Sequence, residues 1–110
     1  MIPHADRRMI PALDTAPDLR DAVRLAARNR RIAMGLTQAD LAARSGVPLG
    51  TLKRFERLGE VSLSSLLAFA DALDALGEFH ALFPLPDART LEEVERQAEL
   101  PKRVRARSKR

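Results

Sequence analysis

Lys53 and Arg54 sit side by side in Pro48-Leu49-Gly50-Thr51-Leu52-Lys53-Arg54-Phe55-Glu56, a run whose apolar members, Leu52 and Phe55, can anchor one side of a helix. Both cations donate hydrogen bonds without accepting any, and arginine offers a fixed two-pronged fork. That chemistry suits guanine O6 and N7, or a phosphate oxygen. A second set of cations, Lys102, Arg103, Arg105, Arg107, Lys109 and Arg110, fills residues 101–110 with no acid among them. Alternating arginines of this kind lie along phosphates or in a narrow minor groove, which makes binding steeply salt-dependent. A solubilising tail, or a docking peptide for an acidic partner, is the plainer reading of the same residues.

Catalytic chemistry has little to work with. His4 and His80 are the only histidines, and cysteine is absent, so disulfides, thiol catalysis and Cys-ligated zinc are excluded. Glu92 and Glu93 suit the start of a helix, where the dipole favours acids. Ser62, Ser64 and Ser65 cap and flank another helix, and the five glycines form no phosphate-cradling loop. No enzyme activity, metal or cofactor is expected.

The elements that must hold these side chains read as helices throughout. Ala and Leu dominate an apolar share of 45%, aromatics are limited to four Phe, and no segment alternates with period two. Residues 1–17, with Pro3, Pro11 and Pro17, read as an N-terminal arm. A first helix starts near Thr15–Asp18 and runs to about Met34, its apolar stripe being Leu19, Val23, Ala26 and Ala27. Thr37 with Asp40 predicts a capping box for the second helix, and Gly46 supplies its left-handed stop. The third helix spans about residues 48–57. Ser62 caps a fourth, with Leu63, Leu66, Leu67, Ala70 and Leu73 at helical spacing. A fifth short helix carries Phe79, Leu82 and Phe83 before Pro84 and Pro86, and Thr90-Leu91-Glu92-Glu93 opens a sixth, acidic one. Leu76, Phe79, Leu82 and Phe83 exceed the needs of one small core and are the candidate dimer surface.

Charge is distributed in blocks. Residues 20–57 hold nine bases against three acids, whereas residues 58–100 hold two bases against nine acids. A basic front would attract phosphates and an acidic back would be turned away from them. No apolar run is long enough to cross a membrane, and the N-terminus lacks the basic-then-apolar order of a signal peptide. A cytoplasmic, nucleoid-associated protein is expected.

Gly35-Leu36-Thr37-Gln38-Ala39-Asp40-Leu41-Ala42-Ala43-Arg44-Ser45-Gly46-Val47, with the run that follows it, resembles the helix-turn-helix of the Cro/C1 repressor class, the XRE family. The likeness covers about residues 20–83. It implies an all-α fold: a five-helix lambda-repressor-like domain over 18–84, an acidic C-terminal helix over 85–100 and a basic tail over 101–110. By the same resemblance Leu49, Gly50, Lys53 and Arg54 face base edges, and Gln38 binds a phosphate. Thr37, Thr51, Arg28 and Arg57 are further phosphate candidates, alongside the first-helix arginines as a group. Arg31 and Glu56 stand where some of these repressors join the first and third helices by an ion pair, with Arg30 as the alternative partner. Pro48 departs from the usual Ser-type cap, and Leu49-Gly50 is poor in hydrogen-bonding groups, so shape readout would share the task.

The expected function is sequence-specific binding of double-stranded DNA by a transcriptional repressor. The partner would be a palindromic operator, and a homodimer would match its symmetry. Gly50 to Glu56, then Ser62 to Phe83 and the basic end, also look like the small regulators that accompany HipA-type kinase toxins. That resemblance implies a HipB-like antitoxin that docks a kinase toxin on its acidic 58–100 region. The alternative is a protein-interaction module with weak or partner-dependent DNA binding.

Overall fold

Local capping chemistry sets every helix start but one. The computed structural model describes residues 15–101; the arm residues 1–14 and the tail residues 102–110 lie outside the described residues. Helix α1 (Ala16–Ala33) begins where the Thr15 hydroxyl accepts the Asp18 N–H, with Pro17 in the first turn. Residues 15–17 are thus cap and first turn. In α2 (Gln38–Ser45) the Asp40 N–H donates to Thr37 Oγ1 at 3.0 Å while the Thr37 N–H donates to Asp40 Oδ2 at 2.9 Å. Those bonds hold the Asp40 carboxyl below its ordinary pKa, the Thr37 N–H contributing most. Gly46, at φ 77°, ends α2 in a conformation that costs a side-chain-bearing residue more. The chain then turns into α3 (Leu49–Leu58), which has Pro48 at its cap and no side-chain cap bond. Helix α4 (Leu63–Ala72) is capped by Ser62, and a 3-10 turn follows at Leu76–Ala81. Helix α5 (Leu91–Ala98) opens with a second capping box, Thr90 with Glu93. Every regular element among the described residues is helical.

The chain divides into two units between His80 and Ala81. The first holds the core, Leu36, Leu41, Val47, Leu52, Phe55, Phe69 and Leu73, with Ala27, Val61 and Leu66 packed against it. Phe55 of α3 stacks on Phe69 of α4 with ring centres 5.6 Å apart. Such a pair contributes about 0.5–1.5 kcal/mol beyond area burial. The described part of the second unit, residues 81–101, holds α5 after a stretch with little regular structure, and none of these residues is buried.

Three sequence expectations need correction. The inward stripe of α1 is Arg24, Ala27 and Arg31; Leu19 and Val23 are about half exposed, and Ala26 is exposed. In α4 the central residue is Phe69, 1% exposed, while Leu63 is 65% exposed. The fifth helix is the short 3-10 turn at Leu76–Ala81, which carries Phe79 but stops before Leu82 and Phe83. Asp74, at φ 62°, breaks the chain between α4 and that turn.

Buried among these apolar groups is one ion pair. Arg31 donates through Nε to Glu56 Oε2 at 2.7 Å and through Nη2 to Oε1 at 3.0 Å; its Nη1 donates to the Leu36 carbonyl at 2.8 Å. The two residues are 8% and 6% exposed. Arg31, not Arg30, is therefore the partner of Glu56. Burial alone would push the Glu56 carboxyl up from its ordinary 4.5. Hydrogen bonds from Arg31 and Gln38, with the charges of Arg31 and Arg28, outweigh burial and hold it below.

Glu56→Ala should destabilise the protein by about 3–5 kcal/mol in urea unfolding, because it strands a buried guanidinium. Replacing both partners, Arg31→Met with Glu56→Leu, should recover most of that loss. The Glu56 contribution should be complete above about pH 4.5 and vanish as pH falls through the lower folded value. The Arg31→Met, Glu56→Leu protein should lack that acid-dependent component.

Candidate nucleic-acid interface

Helix α3 has two unlike sides. Leu52, Phe55 and Glu56 are buried, whereas Leu49, Gly50, Lys53, Arg54 and Arg57 are exposed. Intervals of three and four residues bring the outward set onto one stripe. Gly46 and the buried Arg31–Glu56 pair fix the angle at which that stripe is presented.

Beside the stripe, Arg28 of α1, Gln38 of α2 and Lys53, Glu56 and Arg57 of α3 line one shallow concavity. Three cations converge there, and the single carboxylate is already matched by Arg31. Gln38 donates one amide hydrogen to Glu56 Oε1 at 2.9 Å. A carboxylate neighbour fixes which way the amide points, since the opposite flip would set oxygen against oxygen. The second Nε2 hydrogen is then available to an incoming anion. The capping box engages the N–H groups of Thr37 and Asp40, leaving those of Gln38 and Ala39 at the helix start for a phosphate oxygen.

The remaining candidates separate clearly. Thr37 has its hydroxyl oxygen engaged in the capping box and is not part of the concavity. Thr51 is half-buried, with its N–H donating to the Pro48 carbonyl at 3.0 Å. Arg54 reaches Glu60 at 2.6 Å, an exposed pair across the Gly59 turn. Any base it contacts must compete with that acid. A Cβ added to Gly50 would meet no atom within 4 Å, so nothing inside the fold requires glycine there. Leu76 is 40% exposed and Phe79 half-buried in the first unit; Leu82 and Phe83 are exposed in the second. The tail candidates Lys102, Arg103, Arg105, Arg107, Lys109 and Arg110 lie outside the described residues.

Three of the five α1 arginines, Arg24, Arg30 and Arg31, have hydrogen-bond partners within the fold. Arg24 donates to the Glu56 carbonyl at 3.0 Å, satisfying an open acceptor near the end of α3. Arg30 donates to the Leu73 and Asp74 carbonyls at 2.7 and 2.9 Å, doing the same for α4. With Arg31 buried, Arg28 is the α1 arginine left to the concavity. Sequence reasoning missed the Gln38–Glu56 bond and the capping roles of Arg24 and Arg30. Long-range partners leave no periodic signal. The Arg54–Glu60 pair had one cue, the Gly59 stop that folds Glu60 back towards α3.

Two short helices meeting at a left-handed glycine, the second exposing a basic stripe, define a helix-turn-helix. Residues 28–78 match the family model HTH_3, helix-turn-helix. The match supports a DNA-binding domain of the kind found in transcription regulators. Searches of curated proteins and of solved structures gave no match to the chain. Among the described residues no helix is long and apolar enough to cross a membrane, and no cluster of acidic, histidine or cysteine side chains could hold a metal.

Arg28→Ala and Arg57→Ala should each weaken binding to all duplex sequences alike. Each should also reduce the slope of log affinity against log salt by about 1. Fluorescence anisotropy at several salt concentrations, with a preferred and a scrambled duplex, measures both effects.

Proposed function

We propose that this protein is a sequence-specific reader of double-stranded DNA that acts as a transcriptional repressor. One observation carries the reading: the exposed stripe of α3 lies beside a concavity in which Arg28, Gln38, Lys53 and Arg57 converge. In this reading α3 enters the major groove. Arg28, Gln38 and Arg57 grip the flanking phosphate, with the start of α2, Thr37 and Thr51 as neighbouring contacts. Lys53 and Arg54 donate to guanine O6 and N7, and Leu49 meets a thymine methyl. Gly50 lets the helix backbone approach the bases, which accounts for a glycine that the protein's own packing does not require. The tail from Lys102 to Arg110 adds sequence-independent phosphate contacts. A homodimer on a palindromic operator suits a module that reads a few base pairs per copy.

A second role rests on charge. Nine acids against two bases over residues 58–100 favour a basic protein partner, such as the kinase toxin that a HipB-like antitoxin holds. Co-purification of a kinase encoded beside this chain would test it.

Selection from a random duplex library at near-physiological salt should return a palindromic consensus. Lys53→Ala with Arg54→Ala should abolish the preference, each good base contact being worth about 1–3 kcal/mol, while urea unfolding stays unchanged. Unaltered operator affinity would remove α3 as the reading helix. Deleting residues 101–110 should lower affinity and flatten the salt slope, leaving the selected sequence the same.

A further inference from the structure

We infer, resting on the proposed entry of α3 into the major groove, that Glu60 is a specificity-determining residue whose carboxylate turns Arg54 away from phosphate and reserves it for guanine. Arg54 Nη2 donates to Glu60 Oε1 at 2.6 Å, and the two side chains are 59% and 50% exposed. An ion pair so open to water adds little to folding stability. Its effect falls instead on what the guanidinium binds.

The end of α3 builds the pair. Were the helix to continue, Glu60 would stand about 120° around its axis from Arg54, away from the three- and four-residue spacings at which side chains meet. Gly59 removes that separation. It closes α3 in the left-handed conformation, φ 76°, with its N–H donating to the Phe55 carbonyl at 2.7 Å. The chain is thereby turned back, and the Glu60 carboxylate meets the Arg54 guanidinium. The turn is also pressed from α1, since a Cβ on Gly59 would lie 2.5 Å from Arg20 Cγ.

Arg54 keeps a complete binding edge in this arrangement. A guanidinium has two two-pronged edges, Nη1 with Nη2 and Nε with Nη2, and each uses a different Nη2 hydrogen. Whichever hydrogen Glu60 takes, the other edge stays whole for guanine O6 and N7. What Glu60 alters is charge. A phosphate brought to Arg54 meets a second anion beside it, whereas guanine presents neutral acceptors and escapes that repulsion. The other exposed cations of α3, Lys53 and Arg57, line the concavity with Arg28, where the carboxylate of Glu56 is already matched by Arg31. Arg54 lies outside the concavity and, among the described residues, is the α3 cation held in an ion pair. Phosphate and base chemistry are thus divided between neighbouring cations of one stripe.

Glu60→Gln keeps an oxygen for Arg54 and removes the charge. Fluorescence anisotropy of the full chain should show a scrambled duplex bound about two- to fivefold tighter by this variant, with a salt slope steeper by about 1. Affinity for the duplex returned by selection should change less, so the ratio of the two affinities falls. In an Arg54→Ala background the same substitution should move neither the scrambled-duplex affinity nor the ratio. Glu78→Gln, an equal loss of charge elsewhere in the first unit, should leave the ratio at its unsubstituted value. The role of Glu60 is overturned if Glu60→Gln leaves scrambled binding and the ratio unchanged, or if Glu78→Gln or the Arg54→Ala background gives the same shift. Scrambled binding is measurable whether or not selection yields a consensus. Arg54→Ala alone separates the two levels of the reading. If it loosens the selected guanine while Glu60→Gln does nothing, α3 still reads DNA and Glu60 has no part in it. If it changes binding to neither duplex, Arg54 does not touch DNA, and its assignment as a base reader falls together with the role of Glu60.

Discussion

The Arg31–Glu56 pair is the constraint through which the helix-turn-helix is assembled. Its two parallel hydrogen bonds join α1 to α3, the third guanidinium donor holds the Leu36 carbonyl, and the free side of the carboxylate orients Gln38. Three helices are thereby referenced to one planar, charge-assisted contact. Buried ion pairs add little net stability compared with apolar groups of the same volume, yet removing one partner is costly. What this pair provides is a defined geometry. Leucines in its place would hold the helices together but would not set the direction of the Gln38 amide.

Arg24 and Arg30 extend the same logic to helix ends. Both come from α1 and donate to backbone carbonyls where α3 and α4 run out of internal partners. α1 is thus a polar clamp as much as an apolar one. Val23 and Ala26 of the same helix line a groove beside Phe69 and Ala70 of α4.

Legibility followed chemistry that is local in the chain. Thr15, Thr37, Ser62 and Thr90 mark helix starts through bonds that span three residues, and Gly46 marks a stop through its backbone freedom. These could be read from neighbours alone. Phase was harder. In α4 the run Leu66-Leu67-Ala68-Phe69-Ala70 has no polar face to set the register, so Leu63 and Phe69 compete on equal terms. In α1 the register was misread because hydropathy places arginine outside, and here two arginines point inward to carbonyl and carboxylate oxygens. The stretch after Asp74 reads as helix by its Leu76, Phe79, Leu82 and Phe83 spacing, but a left-handed Asp74 and the early Pro84 leave room only for a 3-10 turn. For the candidate site, the stripe on α3 followed from the pattern of apolar anchors. The Arg31–Glu56 pairing came only through family resemblance, and the meeting of Arg28 with Gln38 and Arg57 had no signal in the chain.

Helix α3 assigns its inward and outward residues to separate stripes, with Leu52, Phe55 and Glu56 on one and Leu49, Gly50, Lys53, Arg54 and Arg57 on the other. Of these residues Glu56 alone serves both, since it also lines the concavity. The scaffold is therefore indifferent to which letters occupy the outer stripe, and a lineage can rewrite it one substitution at a time without passing through an unfolded intermediate. The same separation makes the module a ready frame for engineered readers, in which the code is edited while the frame is left untouched.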